Sequence, residues 1–166
     1  GETLLVHGAS GGVGMAAVDI GKLLGATVIA TGGSDAKLQR VLAYGADHVI
    51  NTEHGFREQV KALTGGRGAD VIYDPVGGDI FDESTRCINF DGRLLIIGFT
   101  SGRIASVPTN IPLIKGFSVM GVRAGEYGRQ FPEKGAENLQ IIWDWVREKK
   151  TRPHVHAELP LSQSVE

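Results

Sequence analysis

The stretch from Thr3 to Leu24, TLLVHGASGGVGMAAVDIGKLL, constrains the fold more than any other. An apolar run, Leu4-Leu5-Val6, stops at a glycine-rich turn, Gly8-Ala9-Ser10-Gly11-Gly12-Val13-Gly14. Beyond the turn, apolar residues recur at helical spacing at Met15, Val18, Ile20 and Leu23-Leu24, which predicts strand, tight turn and helix. The spacing Ala9-x-Gly11-x-x-Gly14 is that of a dinucleotide-binding turn, with alanine where the usual pattern has its first glycine. In such a turn Gly11 lets the backbone approach a pyrophosphate, and Gly14 lets the helix pack close against the strand. The phosphates then sit on unpaired N–H groups at the positive end of the helix dipole.

The rest of the chain alternates regularly. A second strand, Thr27 to Thr31, leads through Gly32-Gly33-Ser34 into a helix from Asp35 to Tyr44 that Gly45 stops. A third strand, His48 to Asn51, precedes a helix from Phe56 to Leu63. The β-branched and aromatic run in Ala69 to Asp74 makes a fourth strand, broken by Pro75 and Gly77-Gly78 before a helix from Ile80 to Ile88. Arg93 to Gly98 and Phe117 to Val122 are the fifth and sixth strands. A long helix from Pro132 to Lys149 gathers Leu139, Ile142, Trp143 and Val146 on one face. Residues 154–166 read as a further strand and then a helix start that Ser162 caps. Strands that are apolar throughout and alternate with helices imply an α/β fold: a Rossmann-type, doubly wound, mostly parallel six-stranded sheet with helices on both faces.

The second strand bears on which nucleotide fits. NAD-binding folds place an acid about twenty positions past the glycines to accept from the ribose hydroxyls. Here that position is Gly32, and Gly33-Ser34-Asp35-Ala36-Lys37 follows: small residues, a hydroxyl, helix N–H groups and a cation. That set suits a 2′-phosphate, so NADP(H) is expected over NAD(H), with Asp35 turned to the surface of the first helical turn.

Other classes fall away. A net charge of −2 with scattered Lys and Arg does not make a nucleic-acid surface, and no apolar run approaches the roughly 18 residues of a membrane span. A lone cysteine, Cys87, allows no internal disulfide or multi-cysteine zinc site and suits a small core position on a helix; a cytoplasmic location is expected. His154-x-His156 would share a strand face but lacks a third ligand nearby, and His7, His48 and His54 are isolated and read as structural, so no metal is expected. A short-chain reductase needs Tyr-x-x-x-Lys, yet Tyr44, Tyr73 and Tyr127 are followed four positions on by His48, Gly77 and Phe131. Gly32 also argues against a methyltransferase, which wants an acid closing the second strand.

The segments VHGASGGVGMAAVDIGKLLGA, GSDAKLQRVLAYGADHVIN, ADVIYDPVGG, GRLLIIGFTSGRIASVPTN and KGFSVMGV together resemble the nucleotide-binding domain of the medium-chain dehydrogenase/reductase superfamily, and most closely its quinone oxidoreductase branch. The resemblance implies that Ala9, Ser10, Gly11, Gly12, Val13 and Gly14 hold the pyrophosphate of NADPH/NADP, and that Gly33, Ser34 and Lys37 hold its 2′-phosphate. Gly98, Phe99 and Thr100 would lie near the nicotinamide, Val76 and Thr52 would also belong to the cofactor site, and Thr52 stands where many members carry tyrosine. It further implies zinc-independent hydride transfer to a small-molecule acceptor, a quinone or an α,β-unsaturated carbonyl compound, and a homodimer joined through the edge strand Phe117 to Val122. No catalytic side chain is expected here. Residues 1–157 would form the NADP(H)-binding domain and 158–166 the start of a return to a catalytic domain outside the chain, so the chain reads as an excised piece. Tyr73 is expected half-buried, and Asp74 bonded to turn N–H groups before Pro75. A non-catalytic NADP(H)-sensing module, an enoyl-thioester reductase domain and a zinc-dependent alcohol dehydrogenase domain of the same superfamily are the alternatives.

Overall fold

The computed structural model describes residues 1–151 and 153–163. Six parallel strands, β1 (Thr3–Val6), β2 (Thr27–Gly32), β3 (His48–Asn51), β4 (Ala69–Asp74), β5 (Ile88–Ile96) and β6 (Ser118–Gly121), form one sheet in the order β3-β2-β1-β4-β5-β6. Helices α1 (Gly12–Leu23), α2 (Asp35–Tyr44), α3 (Arg57–Leu63) and α4 (Gly78–Ser84) cross between the first five strands. Then come α5 (Asn110–Lys115) before β6, and α6 (Ala124–Gln130) and α7 (Pro132–Arg147) after it.

Successive side chains of a strand point to opposite faces, so an unbroken apolar strand needs cover on both. Val6, Val28 and Ala30 pack on one face with Val18 of α1 and Val41 of α2. Their neighbours Leu5 and Ile29 pack on the other with Ile72, Leu94, Phe56, Val60 of α3 and Phe81 of α4. The expected fold class is the one observed.

Several expected elements differ. The helix expected over 80–88 ends at Ser84, and β5 starts at Ile88 rather than Arg93, because Ile88 pairs with Ala69 before the register shifts between Ala69 and Val71. Cys87 is therefore buried between helix and strand rather than on a helix, and burial pushes its thiol up to about 12. Two short helices, α5 and α6, lie in stretches to which the sequence reading assigns no element; α5 ends at Gly116 in the left-handed region. The face of α7 carrying Leu139, Ile142, Trp143 and Val146 is 42–53% exposed, and α7 packs mainly on α6. Gly128 and Gly135 allow that contact: a Cβ on Gly135 would stand 3.0 Å from Gly128 Cα. Residues 154–157 form no strand, since they pair with neither edge strand, and a single 3₁₀ turn covers Leu161–Gln163. The helix expected after Ser162 runs into residues 164–166, outside the described residues.

Candidate functional site

The strand order reverses direction between β1 and β4, and the helices that follow these two strands cover opposite faces. A crevice therefore opens at their carboxyl ends, which is where ligands approach sheets of this kind. Gly8, at φ 57°, turns the chain out of β1; Gly11 N donates to Gly8 O at 3.1 Å, and the buried Ala9 is fixed to β2 by its N–H on Thr31 O at 3.0 Å. Helix α1 starts behind Gly11 with no side-chain cap and no acid in its first turn. Among the described residues, no acceptor takes the N–H groups of Gly12 and Val13, and Val13 is 57% exposed. Gly14 presses on the turn, where a Cβ would fall 2.5 Å from Ala9 Cα. An exposed, uncapped start of a twelve-residue helix carries unpaired N–H groups and the positive end of the helix dipole, which attract anions.

The end of β2 stands beside it: Ser10 Oγ lies 3.9 Å from where a Cβ on Gly32 would be. Gly33 is open to solvent, and Ser34 precedes α2 without making a side-chain cap. Asp35 is drawn away toward β3, where its Oδ1 accepts from Asn51 Nδ2 at 2.7 Å. Lys37 is exposed, and no carboxylate pairs with it among the described residues. Ser10, Gly12 and Lys37 share the rim of a cavity of about 670 Å³ whose bulk runs outward over α1 and α2 toward Trp145 and His154. Thr52, just past β3, opens a 3₁₀ turn over Thr52–His54.

The third group comes from β4 and β5. Asp74, 1% exposed, accepts from Val76 N at 2.8 Å and Gly77 N at 2.9 Å through one oxygen. Burial holds its carboxyl above the usual range, against the pull of those two N–H groups. Tyr73 is half-buried, and burial raises its phenol. Val76 and Pro75 flank Gly8, and Gly98 and Thr100 donate their N–H groups to Asp74 O and Pro75 O at 3.4 and 3.1 Å. Phe99 and Thr100 face solvent at the crevice. Of the residues named from sequence, Ala9 to Gly14, Gly33, Ser34, Lys37, Val76 and Gly98 to Thr100 thus gather at four strand ends, while Thr52 stands at a fifth, that of β3.

Sequence reasoning missed what ties them. His7, fully buried, places Nδ1 at 2.7 Å from Thr31 Oγ1 and Nε2 at 2.8 Å from Ser84 Oγ. Ser84 Oγ donates to Ile80 O at 2.7 Å, so it accepts from Nε2–H while Thr31 donates to Nδ1. One neutral ring joins the ends of β1 and β2 to α4, and burial lowers its pKa to about 3. The available signal was a histidine at the end of an apolar strand, beside the glycine turn.

Among the described residues no three His, Cys, Asp or Glu side chains converge as metal ligands. Nor is any helix among them long and apolar enough to cross a membrane.

The family described as zinc-binding dehydrogenase matches residues 12–141. Quinone oxidoreductase-like protein 2 of Bos taurus is 40% identical over 157 residues, which are 93% of this chain and 45% of that protein. The structure of Escherichia coli quinone oxidoreductase complexed with NADPH superposes with a TM-score of 0.80 at 33% identity, over 93% of this chain and 48% of that one. The nucleotide-binding subdomain of an enoylreductase domain from Mycobacterium tuberculosis gives 0.78 at 31% identity, over 93% of this chain and 87% of that one. The chain spans about half the length of the curated relatives it matches.

Proposed function

The chain belongs to the zinc-binding dehydrogenase family, as the nucleotide-binding domain of its quinone oxidoreductase branch, and on that premise we propose that it binds NADP(H) for hydride transfer to quinones or α,β-unsaturated carbonyl compounds. The observation that carries the proposal is two uncapped helix starts side by side at one sheet edge, with no acid closing β2 and Lys37 one turn into α2. In this reading Ala9 to Gly14 hold the pyrophosphate on the N–H groups of α1, and Gly33, Ser34 and Lys37 hold the 2′-phosphate. Val76 and Gly98 to Thr100 flank the nicotinamide, and Thr52 lines the approach from β3.

The bound nicotinamide supplies the hydride; the chain binds and orients it. Correct placement of reacting groups can supply about 7–11 kcal/mol of a barrier. No proton donor is assigned, since Asp74 is tied to the turn N–H groups before α4 and Tyr73 is half-buried. Residues 1–157 form the cofactor domain in this proposal, and 158–166 lead toward a catalytic domain that supplies the other wall of the cleft. The proposal includes a cytoplasmic location, which suits the buried free thiol of Cys87, and a homodimer through β6. An enoyl-thioester reductase is the second reading, favoured by the Mycobacterium tuberculosis enoylreductase subdomain superposing about as well as the quinone oxidoreductase does, at TM-scores of 0.78 and 0.80.

The test compares residues 1–166 with the longer protein, each with NADPH and either 9,10-phenanthrenequinone or a short enoyl thioester. The chain alone should bind NADPH without oxidising it above the no-enzyme rate, and the longer protein should turn over the quinone. Preference for the thioester would select the second reading. Turnover by the chain alone, abolished by substitution at Tyr73 or Asp74, would place the active site inside this domain and refute the division proposed.

A further inference from the structure

We infer that Arg103 is a positioning residue for the nicotinamide end of the site, latching the loop that follows β5 onto the start of α4. The inference rests on the cofactor reading above. Residues 97–109 leave the sheet at its carboxyl edge and form no helix or strand before α5. A segment with no ladder of its own keeps one shape only if neighbouring elements hold it.

Three sets of contacts do so here. The backbone is laced to the end of β4: Ser101 N donates to Val76 O at 3.0 Å, next to the Thr100 bond, and Gly102 N closes a turn onto Phe99 O at 2.9 Å. The paired glycines let the loop lie directly on the start of α4. Gly77 and Gly78 sit at φ 71° and 58°; a Cβ on Gly77 would stand 3.1 Å from Phe99 Cδ1, and one on Gly78 2.7 Å from Ser101 Oγ. At the far end, Arg103 Nη2 donates to Asp79 Oδ1 at 2.8 Å and to Asp82 Oδ2 at 2.5 Å. Asp79 and Asp82 are three apart and share one face of α4, so a single guanidinium grips two helix positions.

Exposed ion pairs contribute little to global stability. The consequence lies in where the loop stands before the cofactor arrives. Without Arg103, two like charges face the far end of a loop that its backbone bonds alone then hold, and binding must supply the order that the latch now supplies in advance. That cost falls on the nicotinamide half of the cofactor, because the phosphates rest on α1 and α2.

Adenosine 2′,5′-bisphosphate carries the 2′-phosphate but no nicotinamide, so it separates the two halves. For Arg103→Ala in the 166-residue chain, NADPH affinity should fall about three- to tenfold while adenosine 2′,5′-bisphosphate stays within about twofold. The nicotinamide fluorescence gained at saturating NADPH should fall too. Asp79→Asn/Asp82→Asn should reproduce this pattern, and Arg103→Lys should restore part of the loss. Equal losses for both ligands, or no loss of NADPH affinity in either variant, would overturn the latch. A wild-type chain that binds neither ligand would instead overturn the cofactor reading, and the inference with it.

Discussion

Burial sets the charge of His7, and with it a pH dependence of stability. The ring titrates near 6.5 when unfolded and is lowered to about 3 in the fold, so between these values the unfolded chain binds the extra proton. Its contribution is therefore complete above pH about 6.5 and drains away toward pH about 3, by at most about 1.4 kcal/mol per pH unit. Asp47 and Asp70, both held low, act below the ordinary carboxylate range, and Asp74, held high, acts in the opposite sense. Urea unfolding at pH 7 and pH 5 should thus show wild type losing more stability than His7→Gln, which is the weaker protein at pH 7 by about 1–3 kcal/mol. Equal pH losses in the two proteins would mean that the ring is not buried neutral. Lys37 was recognisable in the sequence as a candidate because it lies five residues past the glycine that replaces the expected acid. His7 was not, because its partner Ser84 is 77 residues away and only the packed fold brings them together. Lys37→Ala should cost about tenfold in NADPH affinity and leave NADH almost unchanged, since a charge-assisted hydrogen bond contributes about 1.5–3 kcal/mol. Equal losses in a parallel titration would remove the 2′-phosphate from Lys37.

The contact between α1 and its turn leaves no room for a side chain at Gly14. Gly14→Val must shift the helix or the turn, at about 1–3 kcal/mol in stability, with weaker binding of both nicotinamide cofactors. A variant with unchanged melting temperature and affinity would place the glycine turn elsewhere. The six strands were legible because each is a short apolar run bounded by Gly, Pro or a helix signal. The early start of β5 was hidden by Asn89-Phe90-Asp91-Gly92, which reads as a turn; Asp91 indeed takes φ 62° inside the strand. Short α5 contains Pro112, which masks its pattern, and its start and end rest on Thr109 and Gly116. The strand expected from His154 onward has the right composition but no ladder to join.

β6 is one free edge of the whole sheet, and Met120, 45% exposed, faces outward while Val119 packs toward the core. Val122, next along the chain past β6, and Leu113 and Ile114 of α5 are also exposed. A lysine on such an edge opposes strand pairing, so Met120→Lys should shift the proposed dimer toward monomer with little change in melting temperature. Sedimentation of wild type as a monomer at high micromolar concentration would count against pairing through β6. In the proposed reading one anion-receiving edge is gathered from the ends of β1, β2, β4 and β5 by a strand order that turns back between β1 and β4. The central claim is that this edge takes a 2′-phosphorylated dinucleotide. Calorimetric titration of the chain with NADPH and NADH under one set of conditions tests it most directly. NADPH should bind about tenfold or more tighter, the equivalent of about 1.4 kcal/mol or more; equal affinities, or tighter NADH, would contradict the claim.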